Sequence, residues 1–211
     1  MDLVTLIPEL KKRLELELPG AKAHDLLRAT PVGSFLPKFE HKVAPRPGSV
    51  LILLYPESNK IVFPLIKRPD YSGAHSGQIS FPGGKAEPGE SYLETALRET
   101  QEEIGVNQHE VQVIGQLSNF FVIPSNFMVT PVIGVVQTTP SLVPDFHEVE
   151  KILHGTLEDV LPENAIKTKE ILAAGRYQMM APHFEIEGEV VWGATAMMLN
   201  EFRWVLKEVL G

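Results

Sequence analysis

Between Pro88-Gly89 and Gly105 the chain has room for one helix of about four turns, and the residues inside it limit what the rest can be. Pro88-Gly89 breaks whatever precedes it. Ser91 stands as an N-cap with Glu94 three residues on, the spacing of a capping box, and Gly105 stands where a helix ends. Leu93, Ala96, Leu97, Thr100 and Ile104 form one stripe that has to be buried against a sheet. Glu99, Glu102 and Glu103 cluster on a different face at i, i+3 and i, i+4 spacings. Like charges at these spacings destabilise a helix. A divalent cation reverses that sign, because magnesium takes hard oxygen ligands and shares its site with substrate phosphates. A solvated acidic face is the plainer alternative. Arg98, at the edge of the cluster, can brace a glutamate, and Glu90, just before the cap, can fold back toward it.

Composition removes several functions. The 211 residues suffice for one domain with a sizeable core, or for a domain plus an arm. A formal net charge of −8 argues against a broad nucleic-acid surface but leaves room for a small phosphate ligand screened by metal. There is no cysteine, so no disulfide framework, zinc–thiolate site or cysteine nucleophile is available. The first residues carry no basic n-region or cleavage site, and no apolar run reaches about 18 residues. The expectation is a cytoplasmic protein that neither contacts a membrane nor binds nucleic acid.

The element pattern is α+β. Residues 2 to 18 read as an amphipathic helix ended by Pro19-Gly20, packed on its own domain or serving as the arm of a homodimer. Residues 49 to 55 and 61 to 67 read as a hairpin. A short strand at 78 to 81 feeds Gly83-Gly84 and the acidic helix. Further strands are expected at 111 to 117, 127 to 136 and 149 to 153, with a short helix at 156 to 161. A hairpin of 177 to 184 with 189 to 192 follows, then a closing helix at 194 to 210. The layout divides the chain into an N-terminal helical extension, 1–40, and a main domain, 41–211. Gly83 and Gly84 let the backbone come close to a metal or phosphate, with the Gly83 carbonyl as a ligand. Arg68, at a strand end, can reach a phosphate, and His75, in a Gly/Ser-rich loop, can contact substrate. Each can equally be an ordinary surface residue.

The stretch from Gly84 to Val106 resembles the Nudix box, Gly-x5-Glu-x7-Arg-Glu-U-x-Glu-Glu-x-Gly-U, with U usually aliphatic. Gly84, Glu90, Arg98, Glu99, Glu102, Glu103, Gly105 and Val106 fall on the pattern, and Thr100 stands at a U position. The resemblance implies a Nudix-type α/β/α sandwich around a mixed β-sheet. It also implies metal-dependent hydrolysis of a nucleoside diphosphate-X, with Glu99, Glu102 and Glu103 holding Mg²⁺ or Mn²⁺. Glu102 or Glu103 would act as base, and Arg98 would position Glu99. A glutamate outside the box can serve as base or extra ligand in such enzymes, and Glu148 and Glu150 are the candidates, with surface acids as the alternative reading.

The segment before the box is similar to the extra signature of coenzyme A pyrophosphatases, a Nudix subfamily. Arg68, Gly77, Phe81, Pro82, Gly83 and Gly84 match it, and Gly73 stands where that signature has its second arginine. That likeness implies coenzyme A or its thioesters as substrate, with phosphopantetheine and 3′,5′-ADP as products. Arg68 and Gly77 of this signature, with His75 of the Gly/Ser-rich loop, are the substrate-binding candidates. The alternatives are a pyrophosphatase for another dinucleotide or nucleotide sugar, such as ADP-ribose or NADH, and a Nudix-fold binding module without turnover.

Overall fold

The computed structural model describes residues 2–33, 39–69, 77–173, 175 and 177–211. Five α-helices and twelve strands are found among them: α1 (Leu3–Leu14), α2 (Ala21–His24), β1 (Thr30–Pro31), β2 (Arg46–Glu57), β3 (Lys60–Lys67), β4 (Ile79–Ser80), β5 (Gly83–Lys85), α3 (Tyr92–Ile104), β6 (Gln112–Gln116), β7 (Phe120–Val122), β8 (Phe127–Val135), β9 (Lys151–Thr156), α4 (Leu157–Val160), β10 (Lys167–Ala173), β11 (Tyr177–Ile186), β12 (Glu189–Trp192) and α5 (Gly193–Leu210).

The central strand is β2. It turns into β3 through Ser58 and Asn59, both at positive φ (48° and 63°), the combination that a tight hairpin turn requires. On its other side β8 runs parallel to it, from Arg46 opposite Phe127 to Leu54 opposite Val135. The main path of the sheet is β4-β3-β2-β8-β6, with β5 added to β2, β7 to β8 and β9 to β3. One parallel pair among antiparallel ones makes the sheet mixed, as expected for an α+β sandwich.

Alternation along β2 builds two cores. Leu51, Leu53 and Tyr55 face α3 and pack with Ala96 and Ile104 of the helix stripe. Ile52 and Leu54 face the other way, into a cluster with Leu3, Leu6 and Leu10 of α1 and Leu199, Phe202 and Leu206 of α5. At about 25 cal/mol per Å² of apolar surface, burying these two faces supplies the main drive for folding. Residues 2–18 form a shorter helix than expected. The stripe Leu3, Leu6, Leu10, Leu14 ends at Leu14, and Leu16 is 65% exposed, so nothing holds a further turn. The segment after α1 is tied to α5 by a buried carboxylate. Glu201, with no exposed surface, accepts from Gly20 N–H (2.9 Å) and Ser118 Oγ–H (2.6 Å) and lies 2.8 Å from His24 Nε2. Multiple donors are what a buried charge requires.

A second, antiparallel sheet runs β1-β11-β10 with β12 on β11. The hairpin of β11 and β12 is as expected. Strand β10 is an addition to the sequence reading, as are the short strands β1 and β7. No helix among the described residues is long and apolar enough to cross a membrane.

Candidate active site

The acidic helix is built as its caps dictate. Ser91 Oγ accepts from Glu94 N–H (3.3 Å), while Ser91 N–H donates to Glu94 Oε2 (2.8 Å). Gly105 ends α3 in the left-handed region (φ 75°) and donates to Gln101 O. The carbonyls of the last turn are then taken by the loop between β8 and β9. Val143 N–H donates to Ile104 O and Asp145 N–H to Glu103 O, both at 3.0 Å. That loop carries Glu148.

Glu99, Glu103 and Glu148 each offer a carboxylate oxygen, and the three oxygens lie within 4.8 Å of one another. Glu103 is 1% exposed. One of its oxygens accepts from Gly83 N–H (2.8 Å), and the other faces Arg68 Nη2 (3.3 Å). Arg68 Nη2 also donates to the Gly83 carbonyl (3.1 Å). So Arg68, Gly83, Glu99 and Glu103 are brought together. Gly84 is part of the same packing, because a Cβ placed on it falls 2.5 Å from the Glu99 carboxylate.

Glu102 lies apart from the three carboxylates. Its side chain is 57% exposed and accepts from Arg98 Nη1 (2.8 Å). Arg98 reaches in several directions at once. It holds Glu90 through Nε (2.7 Å) and Nη2 (3.0 Å), donates to Glu99 through Nη1 (3.0 Å), and caps Lys85 O. Glu90 in turn accepts from Thr95 Oγ1 and Glu87 N–H, which fixes the turn ahead of the helix. Gly77 (φ 63°) donates to Pro69 O. His75 lies outside the described residues. Of the two open candidates beyond the box, Glu148 joins the carboxylate group and Glu150 pairs with Lys67 (3.2 Å). Helical periodicity could find Glu99 and Glu103. Glu148 stands on a loop, and its one sequence signal is an acid ahead of a buried valine, Val149.

Electrostatics follow from this packing. The Arg98 bonds hold the Glu90 carboxyl down at about 2. Burial pushes Glu99 up and pushes Glu103 up to about 7, against the pull of Arg68, with Glu148 adding like charge to both. An acid with a raised pKa is held protonated in the native state while the unfolded chain has released its proton. Stability in a chelating buffer should therefore fall as pH rises from about 4.5 to about 7, by on the order of 3 kcal/mol for Glu103. The lowered acids, Asp2, Glu90, Glu94, Glu163, Glu185, Glu187 and Glu201, act only below that window. Urea unfolding from pH 5 to 8 tests this. A flat profile, or one unchanged in Glu103→Gln, would refute it.

One buried, one half-buried and one exposed carboxylate, with a backbone carbonyl and an adjoining guanidinium, make an all-oxygen set next to a cation. Hard oxygens without nitrogen or sulfur suit Mg²⁺ or Mn²⁺ over zinc or copper.

A family model described as the NUDIX domain matches residues 45–180. An uncharacterized Nudix hydrolase NudL of Yersinia enterocolitica is 33% identical over 191 residues, covering 80% of this chain and 90% of that protein. Nudix hydrolase 3 of Caenorhabditis elegans is 30% identical over 168 residues, covering 72% of this chain and 70% of that protein. Among solved structures, a MutT/nudix family protein from Enterococcus faecalis superimposes with a TM-score of 0.52 at 16% identity, over 100% of this chain and 80% of that one.

Proposed function

The chain belongs to the Nudix hydrolase family and acts on pyrophosphate bonds, and from that premise we propose that its substrate is coenzyme A or a coenzyme A thioester, cleaved to phosphopantetheine and 3′,5′-ADP. The hydrolytic reading rests on one observation above the others: the carboxylates of Glu99, Glu103 and Glu148 converge next to Arg68 and the Gly83 carbonyl. The choice of substrate rests on the signature residues Arg68, Gly77, Phe81, Pro82, Gly83 and Gly84.

Nudix hydrolases generally use divalent ions such as Mg²⁺ or Mn²⁺. Glu99, Glu103, Glu148 and the Gly83 carbonyl would hold them here, and bound cations would offset phosphate charge and lower the pKa of a bound water. In our reading the chain's own residues do the following. Arg68 gives up its bond to the Gly83 carbonyl to meet a substrate phosphate, its planar fork being suited to that anion. Glu102 takes the proton from the attacking water. Arg98 engages its Oε2, whereas both oxygens of Glu103 already face donors. Arg98 bridges Glu99 and Glu102 through Nη1 and so offsets their mutual repulsion on the helix face. Water adds to one phosphorus, the bridging P–O bond breaks, and the departing phosphate keeps the electron pair. No covalent enzyme intermediate is required.

Gly73, standing in place of an arginine of the coenzyme A signature, favours the second reading, a pyrophosphatase for another dinucleotide or nucleotide sugar. The test is turnover of coenzyme A, ADP-ribose, NADH and diadenosine polyphosphates with Mg²⁺ and with Mn²⁺. We expect kcat/KM to be highest for coenzyme A by at least about tenfold, a margin of some 1.4 kcal/mol in transition-state binding. A higher value for ADP-ribose or NADH would move the assignment to the second reading. No metal-dependent turnover of any of the four would favour a binding module.

A further inference from the structure

We infer that Lys67 is a positioning residue for Glu148, an inference that rests on the reading of the Glu99, Glu103 and Glu148 carboxylates as a cation site. Glu148 sits on a segment fastened at both ends. In front, Glu148 N–H and Val149 N–H donate to Asp145 O (3.0 and 2.8 Å), and Asp145 N–H donates to Glu103 O. Those bonds are all backbone to backbone, so they hold whatever the side chains are. Behind, Val149 is fully buried and Glu150 N–H donates to Lys67 O at 2.8 Å. Lys67 then takes the side chain of the same residue. Its Nζ lies 3.2 Å from Glu150 Oε1 and 3.2 Å from Glu189 Oε1 at the start of β12.

One lysine therefore grips Glu150 by backbone and side chain, two residues from Glu148, and braces it against another strand. The charge matters as much as the bonds. Glu148, Glu99 and Glu103 already share one small region, and Glu150 follows Glu148 by two residues. The neighbouring cations are committed elsewhere: Arg68 to Glu103 and Gly83, and Lys151 to Glu187 at 2.9 Å. Without Lys67, Glu150 and Glu189 face each other uncompensated, and like-charge repulsion loosens the Glu150 end of the segment that carries Glu148. The two contacts also raise the pKa of Lys67, so it stays charged across the physiological range.

The test uses Lys67→Met, Lys67→Arg, Glu148→Gln and the Met/Gln double variant of the full chain. Two quantities are read: Mn²⁺ affinity, by paramagnetic resonance of the free ion, and amide exchange at Glu150. Groups that orient a metal ligand typically contribute 10- to 100-fold to affinity, so Lys67→Met should weaken Mn²⁺ binding about tenfold. Lys67→Arg should stay within about threefold of the parent, since it restores the charge. Faster exchange of the Glu150 amide should accompany the Met variant, with the core amides of β2 unchanged. In the Glu148→Gln background, Lys67→Met should cost less than about twofold more, because Lys67 acts through Glu148. Additive losses in the double variant would overturn the inference. So would unchanged Mn²⁺ affinity with a raised KM for nucleotide, which would make Lys67 a substrate contact. Parent-like Mn²⁺ affinity in Glu148→Gln alone would remove Glu148 from the cation site, sinking that reading and this inference together.

Discussion

Glu103→Gln should lower kcat by about a thousandfold while the protein stays folded, within the range that removing one charge-stabilising or acid–base group produces. The substitution keeps shape and changes two things. It removes a negative charge from the position that joins α3 to Gly83 and Arg68. It also turns one acceptor into a donor. Both oxygens of Glu103 face donors, Gly83 N–H at 2.8 Å and Arg68 Nη2 at 3.3 Å, so the new amide must point its NH₂ at one of them. A donor facing a donor in a site 1% exposed breaks the local geometry by more than a lost charge alone. Stability at pH 8 should change little, because relief of the burial that pushes the Glu103 carboxyl up to about 7 offsets the clash of donors. Activity kept within about tenfold would sink the assignment of Glu103 to the catalytic site.

That helix was the part of the molecule most legible from its residues, because capping and periodicity are local properties. Ser91, Glu94 and Gly105 act through hydrogen bonds spanning a few positions, so their pattern survives without knowledge of the rest. The distinction among the glutamates was not local. A helical wheel places Glu99, Glu102 and Glu103 together, yet Arg98 draws Glu102 outward and the third carboxylate comes from residue 148. Only the loop that satisfies the last carbonyls of α3 brings Glu148 there, and those backbone bonds leave no mark on side-chain identity.

The same division runs through the fold. Strands β2 and β8 are buried runs of Val, Ile and Leu and announce themselves. Strand β10 begins Lys-Thr-Lys-Glu with all four residues exposed, so it offers no alternation to read; pairing with β11 alone makes it a strand. Strands β1 and β7 span two and three residues and are too short for any period. Leu16 and Leu18 invited a longer first helix, but Leu16 is off the stripe and exposed, and Leu18 reaches the core from the segment after the helix.

Gly83→Ala and Gly84→Ala, one atom each and adjacent in sequence, should fail in different ways. A Cβ on Gly83 would lie 2.3 Å from Ser49 O and 2.5 Å from Val50 Cα, both backbone of the central strand β2, at a φ of 150° that an L side chain rarely adopts. Neither obstacle can step aside, because Val50 and Ser49 are locked between β5 and β8. The cost should exceed about 3 kcal/mol, which in a chain of this size lowers the melting temperature by roughly 6–12 °C. At Gly84 the nearest atoms to a new Cβ are the Glu99 carboxylate carbon and oxygens, at 2.5 Å. A carboxylate is the free end of a flexible side chain and can swing, so stability should change by less than about 1 kcal/mol. What Glu99 cannot do after swinging is keep its place beside Glu103 and Glu148. Gly84→Ala should therefore melt near the parent temperature and lose about a hundredfold in kcat, since even a 1 Å misplacement of catalytic groups has that effect. Melting curves and turnover measured side by side separate the two outcomes. If Gly84→Ala unfolds as readily as Gly83→Ala, or keeps parental turnover, then the close approach of Gly84 to Glu99 is packing without catalytic consequence.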